Sequence, residues 1–554
     1  MSGKLKSTFA RVNSWTIVTL LSIILLLIFI VYPFSSMVIK SFIGKEGSFT
    51  LENYIRFFQS NYYRTALLNS LKVSLSATGL ALLIGIPMAY FTSRFDLRGK
   101  KIVDNMCILA MLSPPFIGAY SWIVLMGRAG FITTLVKNLT GLDMPTIYGF
   151  RGILLVFTLK LFPYVYLYVS GALENIDASL EECSESLGVS GIKKLTTVTF
   201  PLILPTILSS ALMVFMTSLA DFGTPALIGE GYRVLPVSIY ESYVGEMGGN
   251  ASFANALSVI VIFIALCVLI LQKKAIAGRS YSMSALRPPS VKKLSLGPKI
   301  TASAFVYLVA FIAILPQITV AVTSFINTSG PVFLPGFGLN SYKEAFGKMS
   351  TAIRNSFIFA IIAIVLMVLF SLLLAYLIVR KSCHLTNLID TIAMFPYVIP
   401  GAVIGIMMVN SFNSRPILLT GTAVIMIVTY IVRKMPFTLR SSVGILYQIE
   451  NSVEEASISL GVPPMQSFFR ITARMMIPGV VSGAILSWIG TINELSSSMI
   501  LFTGRTVTIS VAIYQEVTHK AHFGTAAALA TILTIATIFS LWLFRKLAGG
   551  KITM

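Results

Sequence analysis

The sequence predicts an all-α integral membrane protein of about twelve transmembrane helices, built as two homologous six-helix halves. Three observations carry that expectation. The first is composition: 56% of the 554 residues are hydrophobic and 11% are charged, against about 25% charged in a soluble domain. The second is spacing, because apolar runs of about 20 residues, the length that crosses a hydrocarbon core, recur along the whole chain. The third is duplication. The stretch EECSESLGVSGIKKLTTVTFPLILP at 181–205 returns as EEASISLGVPPMQSFFRITARMMIP at 454–478. Gly188 and Gly461 are 273 residues apart (461 − 188), as are Pro205 and Pro478 (478 − 205) and Pro163 and Pro436 (436 − 163). A constant offset through a loop and the helix before it marks an internal repeat.

The predicted spans follow in order. In the first half they cover roughly 14–42, 66–94, 103–127, 149–171, 202–228 and 253–273. In the second they cover roughly 300–325, 353–380, 388–412, 416–440, 477–502 and 523–546. The first run follows Lys4, Lys6 and Arg11. It is long and has no small-residue cleavage site after it, so it reads as a retained anchor. A first membrane domain at 1–275, a linker at 276–298 and a second membrane domain at 299–554 follow from this division.

Basic residues set the orientation. Arg94, Arg98, Lys100 and Lys101 crowd one short loop, and Lys273, Lys274, Arg279, Arg287, Lys292, Lys293 and Lys299 crowd the linker. Arg380 and Lys381 follow the eighth span, and Arg545, Lys546 and Lys551 the last. All fall on one side if both termini are cytoplasmic. The segment 229–251 carries Arg233 against Glu230, Glu241 and Glu246, as expected outside. An even number of spans per half makes the repeat parallel, with its axis along the membrane normal.

The same pattern excludes several functions. A net charge of +21 suggests nucleic acid when it is clustered on a soluble domain; here it flanks apolar runs, so no nucleic-acid partner is expected. Cys107, Cys183, Cys267 and Cys383 form no C-x-x-C pair, so neither a disulfide nor a metal site is expected. No G-x-x-x-x-G-K-[ST] loop is present, so hydrolysis of ATP would fall to another polypeptide. No nucleophile–base constellation appears, and no catalytic residue or cofactor is assigned to this chain.

The duplicated loop is the main candidate site. Apolar residues recur at helical spacing from Glu174 to Leu187, and Gly188 then offers a left-handed cap. Ser190 can cap a second short helix; in the other copy Pro463 and Pro464 suit a helix first turn. Both copies therefore encode helix, tight turn, short helix, and a proline-marked entry into the membrane. The alternative is a solvated amphipathic connector. Glu182 and Glu455 each lie six residues before the glycine.

Glu182-Cys183-Ser184 with Leu187-Gly188, and Glu455-Ala456-Ser457 with Leu460-Gly461, resemble the EAA signature of ATP-binding-cassette (ABC) importer permeases. The first copy departs by its Cys-Ser pair, and Arg474 stands where the first copy has Pro201. The resemblance implies a type I importer fold in a bacterial cytoplasmic (inner) membrane. It implies two copies of a separate ATPase subunit, which bind ATP and Mg and receive the two loops in their grooves. It also implies a periplasmic or lipid-anchored substrate-binding protein. Fused two-copy chains of this length are similar to ferric-iron permeases, through the segments 113–127, 219–229 and 492–515. Permeases for thiamine, 2-aminoethylphosphonate and polyamines share much of that pattern. A proton-coupled secondary transporter with two parallel halves is the rival class, and the duplicated loop speaks against it.

Within the predicted spans, Asp221 and Glu494 are again 273 apart (494 − 221). Each lies 16 residues after the loop-ending proline, or roughly 24 Å up a helix at about 1.5 Å per residue. Carboxylates suit a cationic or hard-metal substrate, so both are candidates for the translocation path, with Tyr120. The other reading has each acid hydrogen-bonding a neighbouring helix. Lys160 and Arg433, also 273 apart (433 − 160), read as snorkelling residues near the cytoplasmic helix ends. His519 and His522 are candidates for a metal relay at the outer face.

Overall fold

Apolar length dictates the helices, and proline and polar residues break them. The computed structural model describes residues 14–44, 47–245, 249–276 and 291–547. Lys4, Lys6, Arg11, Glu246, Arg279, Arg287 and Lys551, which entered the orientation argument, lie outside that range. Among the described residues ten helices are long and apolar enough to cross a membrane, and eleven if a bent pair counts as one span.

The difference from twelve has a specific cause. The expected tenth span forms as a continuous helix, Ala423–Gln448, but Arg433, Lys434 and Arg440 give it more charge than such a span ordinarily carries. Two other expected spans are broken, of which only the second lowers the count, since Phe116–Thr140 is still long and apolar enough to cross. The run at 103–127 becomes Lys100–Leu112 and Pro115–Met126, separated at Ser113 and Pro114. The run at 388–412 becomes His384–Val398 and Gly401–Phe412, bent by 116°. Proline removes a backbone donor and clashes with the preceding turn, so Pro114 and Pro400 mark both breaks.

The repeat seen in sequence is a repeat in structure. Asn61–Arg94 corresponds to Ser350–Arg380, Phe150–Glu174 to Ala423–Gln448, and Phe200–Ala220 to Ala473–Ile492. The recurring dipeptides do the same work in both halves. Ser70 Oγ accepts the Leu235 N–H at 2.7 Å, and Ser356 Oγ accepts the Ile509 N–H at 2.7 Å. Asn69 donates to the Arg233 carbonyl, and Asn355 to the Arg505 and Val507 carbonyls. Each Asn-Ser pair thus ties a long helix to the N-terminus of the short helix Leu235–Val244 or Ile509–Thr518. Tyr54 and Tyr342 likewise pair with Ser41 and Ser324 at 2.7 and 2.8 Å.

The halves exchange their first helices. Ser14–Ser41 packs on Gly401–Phe412 of the second half, and Leu296–Thr323 packs on Lys100–Leu112 and Pro115–Met126 of the first. Trp15 stacks on Tyr376 with ring centroids 4.2 Å apart and meets Phe468 edge-on at 5.3 Å. Ser121 donates to the Pro316 carbonyl at 2.9 Å. The exchange makes the two halves one body around a shared axis. In the second half a close approach supports it: a Cβ on Gly483 would lie 2.5 Å from Ser441 Cβ and 2.9 Å from the Phe437 carbonyl. Gly479 and Gly483 therefore let Ala473–Ile492 lie against Ala423–Gln448, as small residues do between membrane helices.

Candidate functional site: paired docking loops and an axial cavity

Both loops form as their residues require. The first is helix Ala178–Ser186, a turn at Gly188 with φ +80°, and helix Gly191–Lys194. The second is Asn451–Ser459, a turn at Gly461 with φ +85°, and Pro464–Ser467. Asp177 caps the first by accepting the Ser179 N–H at 2.9 Å. Each loop enters the next long helix through one wide π-type turn, Leu195–Thr199 and Phe468–Thr472. Such widened turns often mark functional sites.

The tips point away from the protein. Leu187 is 82% exposed, Ile192 81% and Leu460 85%, and Glu182 and Glu455 are exposed beside them. Large apolar side chains so exposed, at matching places on two loops, have no role in this chain's own core. The neighbouring glutamates face inward. Arg94 lies 2.7 Å from Glu181. In the second half Glu454 accepts from the Tyr376 hydroxyl, and from Thr472 at 3.1 Å. Adjacent residues on a helix project about 100° apart, so one glutamate of each pair braces the loop and the other meets solvent. The repeat pointed to the outward glutamate; the bracing one left no mark in the sequence, because its partners, Arg94 and Tyr376, come from another helix. Lys194 first, and then Lys292, donate to Glu185 and hold its carboxyl below the ordinary carboxylate range. Lys292 lies 3.3 Å from Glu185, so the end of the linker and the first loop share one side of the molecule.

A cavity of about 290 Å³ lies between the halves. It is lined by positions related through the 273-residue offset: Lys160 and Arg433, Tyr164 and Phe437, Met213 and Leu486, Thr217 and Gly490, Asp221 and Glu494. The cavity therefore sits on the axis of the repeat. A second cavity of about 400 Å³ shares Met213, Tyr397, Phe437 and Leu486 with it and includes Arg440 and Ser482. It continues toward the helix starts that follow the two repeated loops.

Asp221 and Glu494 both border the axial cavity, but neither is a free carboxylate. Each sits where a long helix stops, at the C-terminal end of Phe200–Ala220 or just past Ala473–Ile492. Asp221 accepts the Thr224 N–H at 3.0 Å, and Glu494 the Ser497 N–H and hydroxyl at 3.1 Å. Lys160 Nζ lies 3.4 Å from Asp221. Arg433 pairs with Glu494, and Lys434 Nζ lies 3.2 Å from the same carboxylate. The snorkelling reading of Lys160 and Arg433 is corrected. Lys160 is 14 residues from the end of Phe150–Glu174 (174 − 160), roughly 21 Å at about 1.5 Å per residue, too deep to reach headgroups. Both cations instead neutralise a buried acid 61 residues further along the chain (221 − 160 and 494 − 433).

Tyr120 lies apart from the two acids. It borders neither cavity; its ring is fully buried and its hydroxyl donates to the Phe523 carbonyl at 2.8 Å. His522 Nδ1 lies 3.0 Å from Glu516, which Lys520 also engages. Among the described residues no group of three or more His, Cys, Asp or Glu is placed to hold a metal ion.

A duplicated helical bundle with two outward-facing loops and a cavity on its axis defines a membrane transport subunit. The chain belongs to the family of binding-protein-dependent transport system inner membrane components, whose profile matches residues 81–276 and again 382–549. It is similar to the ferric transport system permease protein FbpB of Actinobacillus pleuropneumoniae, 29% identical over 97% of this chain and 79% of the relative. A putative ferric transport system permease protein FbpB 1 of Haemophilus influenzae is 28% identical over 89% of this chain and 79% of its own length. The molybdenum transport system permease protein ModB of Escherichia coli is 31% identical over 38% of this chain and 91% of its own. Among solved structures, a bacterial ABC transporter involved in the import of the acidic polysaccharide alginate matches 49% of this chain and 98% of its own, at 21% identity and a TM-score of 0.39.

Proposed function

We propose that this chain carries both membrane domains of an ATP-driven, binding-protein-dependent importer of ferric iron. The observation that carries the reading is similarity along nearly the whole length to ferric permeases, joined to two equivalent docking loops with exposed apolar tips. Two ATPase subunits, which bind ATP and Mg, seat on the tips around Leu187-Gly188 and Leu460-Gly461, with Glu182 and Glu455 at the rim. Both termini face the cytoplasm, on the side of the loops. A periplasmic or lipid-anchored binding protein delivers cargo to the opposite face.

Closure of the ATPase dimer moves the two loops, and the braces at Glu181 and Glu454 pass that motion to Asn61–Arg94 and Ser350–Arg380. The change is a rigid-body one, powered by the different affinity of two states for ATP. A proton-coupled carrier has no use for two exposed docking tips.

The test is ATP-dependent uptake of ⁵⁵Fe by proteoliposomes containing the chain and its ATPase, supplied by the loaded binding protein. Uptake that needs all three components is expected. A binding protein that purifies with thiamine, a phosphonate or a polyamine, and no iron uptake, overturns the substrate. Uptake driven by a proton gradient without the ATPase overturns the class.

A further inference from the structure

The charges around the axial cavity do not balance. Its lining holds three basic side chains, Lys160, Arg433 and Lys434, and two carboxylates, Asp221 and Glu494; no other acidic or basic side chain among the described residues borders it. Lys160 and Asp221 neutralise each other. Arg433 and Lys434 share Glu494. The lining therefore holds one basic group more than it holds carboxylates.

The surplus is a departure from the repeat. The position matching Lys434 in the first half is Leu161 (434 − 273), which is 1% exposed in the core. Across from Lys434, Gly490 replaces Thr217 of the first half (490 − 273). A Cβ on Gly490 would lie 3.1 Å from Cδ, Cε and Nζ of Lys434. The second half thus carries both an extra ammonium and the space that admits it. An ammonium has three donors, and the ion-pair contact of Lys434 Nζ among the described residues is Glu494 Oε2, while Arg433 takes Oε1 of the same carboxylate. An amine in a low-dielectric site carries its charge only beside a negative partner and is otherwise neutral, so an added anion would be what holds the ammonium form.

We infer that the axial cavity takes an anion, with Lys434 as the residue that selects its charge. This rests on the iron-import reading in one respect: both lining carboxylates are already paired with basic groups, so a bare ferric ion would find no free carboxylate here, and the metal passes as a complex whose oxygen ligands give it neutral or negative charge. Phosphate and small carboxylates such as citrate share the required chemistry.

Two measurements separate this inference from the import reading. The first is calorimetric titration of the purified permease–ATPase complex with inorganic phosphate and, separately, with citrate. Binding of at least one is expected. K434Q should weaken it by about tenfold to a hundredfold, the loss of one hydrogen bond to a charged group, and K434R should largely restore it. K434L, which copies the first half, serves where K434Q does not fold, and K343Q on the exposed surface should leave binding unchanged. Absence of binding of both anions to the unaltered protein, or full binding by K434L and K434Q, overturns the anion site whether or not iron is carried. The second measurement is uptake from binding protein loaded with ⁵⁵Fe and either ³²P-phosphate or ¹⁴C-citrate. Entry of the anion label together with iron is expected. Iron entering without either label overturns the complex as cargo. Anion binding that depends on Lys434, without any iron uptake, removes the ferric reading and leaves the anion site standing.

Discussion

Replacing Asp221 by Asn removes one charge and little else. The amide oxygen keeps the shape of the carboxylate and can still accept the Thr224 N–H, now 3.0 Å away. What it cannot do is neutralise Lys160, 3.4 Å distant and buried. At that separation the attraction is about 5 kcal/mol for an effective dielectric of about 20. Burying the two ions costs several kcal/mol each, so the intact pair contributes little net stability. Loss of one partner is different, because it strands the other: the expected cost is about 3–5 kcal/mol. For a cooperative unit of 150–250 residues, about the size of one half, each kcal/mol lowers the melting temperature by about 2–4 °C. Asp221→Asn should therefore melt on the order of 6–20 °C lower in detergent. Lys160→Leu should also melt lower. The double variant should recover most of the loss, since it strands no charge. Thermal unfolding of the four proteins by size-exclusion or intrinsic fluorescence supplies the complete cycle. Additive single effects, or an unchanged Asp221→Asn, would refute the claim that the pair is one unit. Transport measured on the same four proteins then separates support from cargo contact. If the acid only anchors Lys160, transport returns with stability in the double variant. If the carboxylate acts on cargo, stability returns and transport does not.

The docking loops give three further expectations. Gly188 and Gly461 have positive φ and nothing within 4 Å of an added Cβ, so Gly188→Val and Gly461→Val should cost backbone strain alone, at least about 1–2 kcal/mol. ATPase should co-purify poorly with the inserted variants, and unchanged co-purification would remove the turns from the docking surface. Glu182→Ala with Glu455→Ala changes exposed side chains and should alter stability by no more than about 0.5 kcal/mol, while lowering ATPase capture and transport together; normal transport by a well-expressed double variant refutes the assignment. Tyr376→Phe deletes the hydroxyl that serves Glu454 and should destabilise the chain by about 1–3 kcal/mol, measurable as a lower melting temperature. No shift there would mean that Thr472 alone holds the second brace.

The repeat made much of the site readable before any coordinates. The 273-residue offset identified both loops, both glycine turns and both buried acids, because backbone turns and acids in apolar runs leave clear marks. The partners of those acids were present at the same offset, yet charge inside an apolar run was assigned to a helix end. A lone basic residue carries no sign of its depth. Only the equal spacing of 61 residues from Lys160 to Asp221 and from Arg433 to Glu494 hinted that cation and acid form a unit. The helix stops at the acids were also signalled, by Gly223-Thr224-Pro225 in one half and the serine run 496–498 in the other, since Ser and Thr compete for backbone groups. Which of two adjacent glutamates turns inward was not legible, because it depends on Arg94 and Tyr376 arriving from another helix.

The departures from the repeat carry a different lesson from the matches. Matched positions, such as the Asn-Ser pairs and the glycine turns, perform the same structural task in each half. A symmetric cavity lined by two neutral ion pairs would have no preference for the sign of its cargo. The preference enters where one half changes and its neighbour makes room, as Lys434 does for Leu161 and Gly490 for Thr217. Restoring the first half's residues at both places tests that logic within one molecule. The variant Lys434→Leu with Gly490→Thr should fold, since leucine is the residue buried at the matching position of the first half and the shorter side chain relieves the approach to residue 490. It should keep ATPase docking, because neither residue lies near a loop tip, and it should lose the anion titration described for Lys434. Retained anion binding in that symmetric variant would place the selection of charge elsewhere on the path.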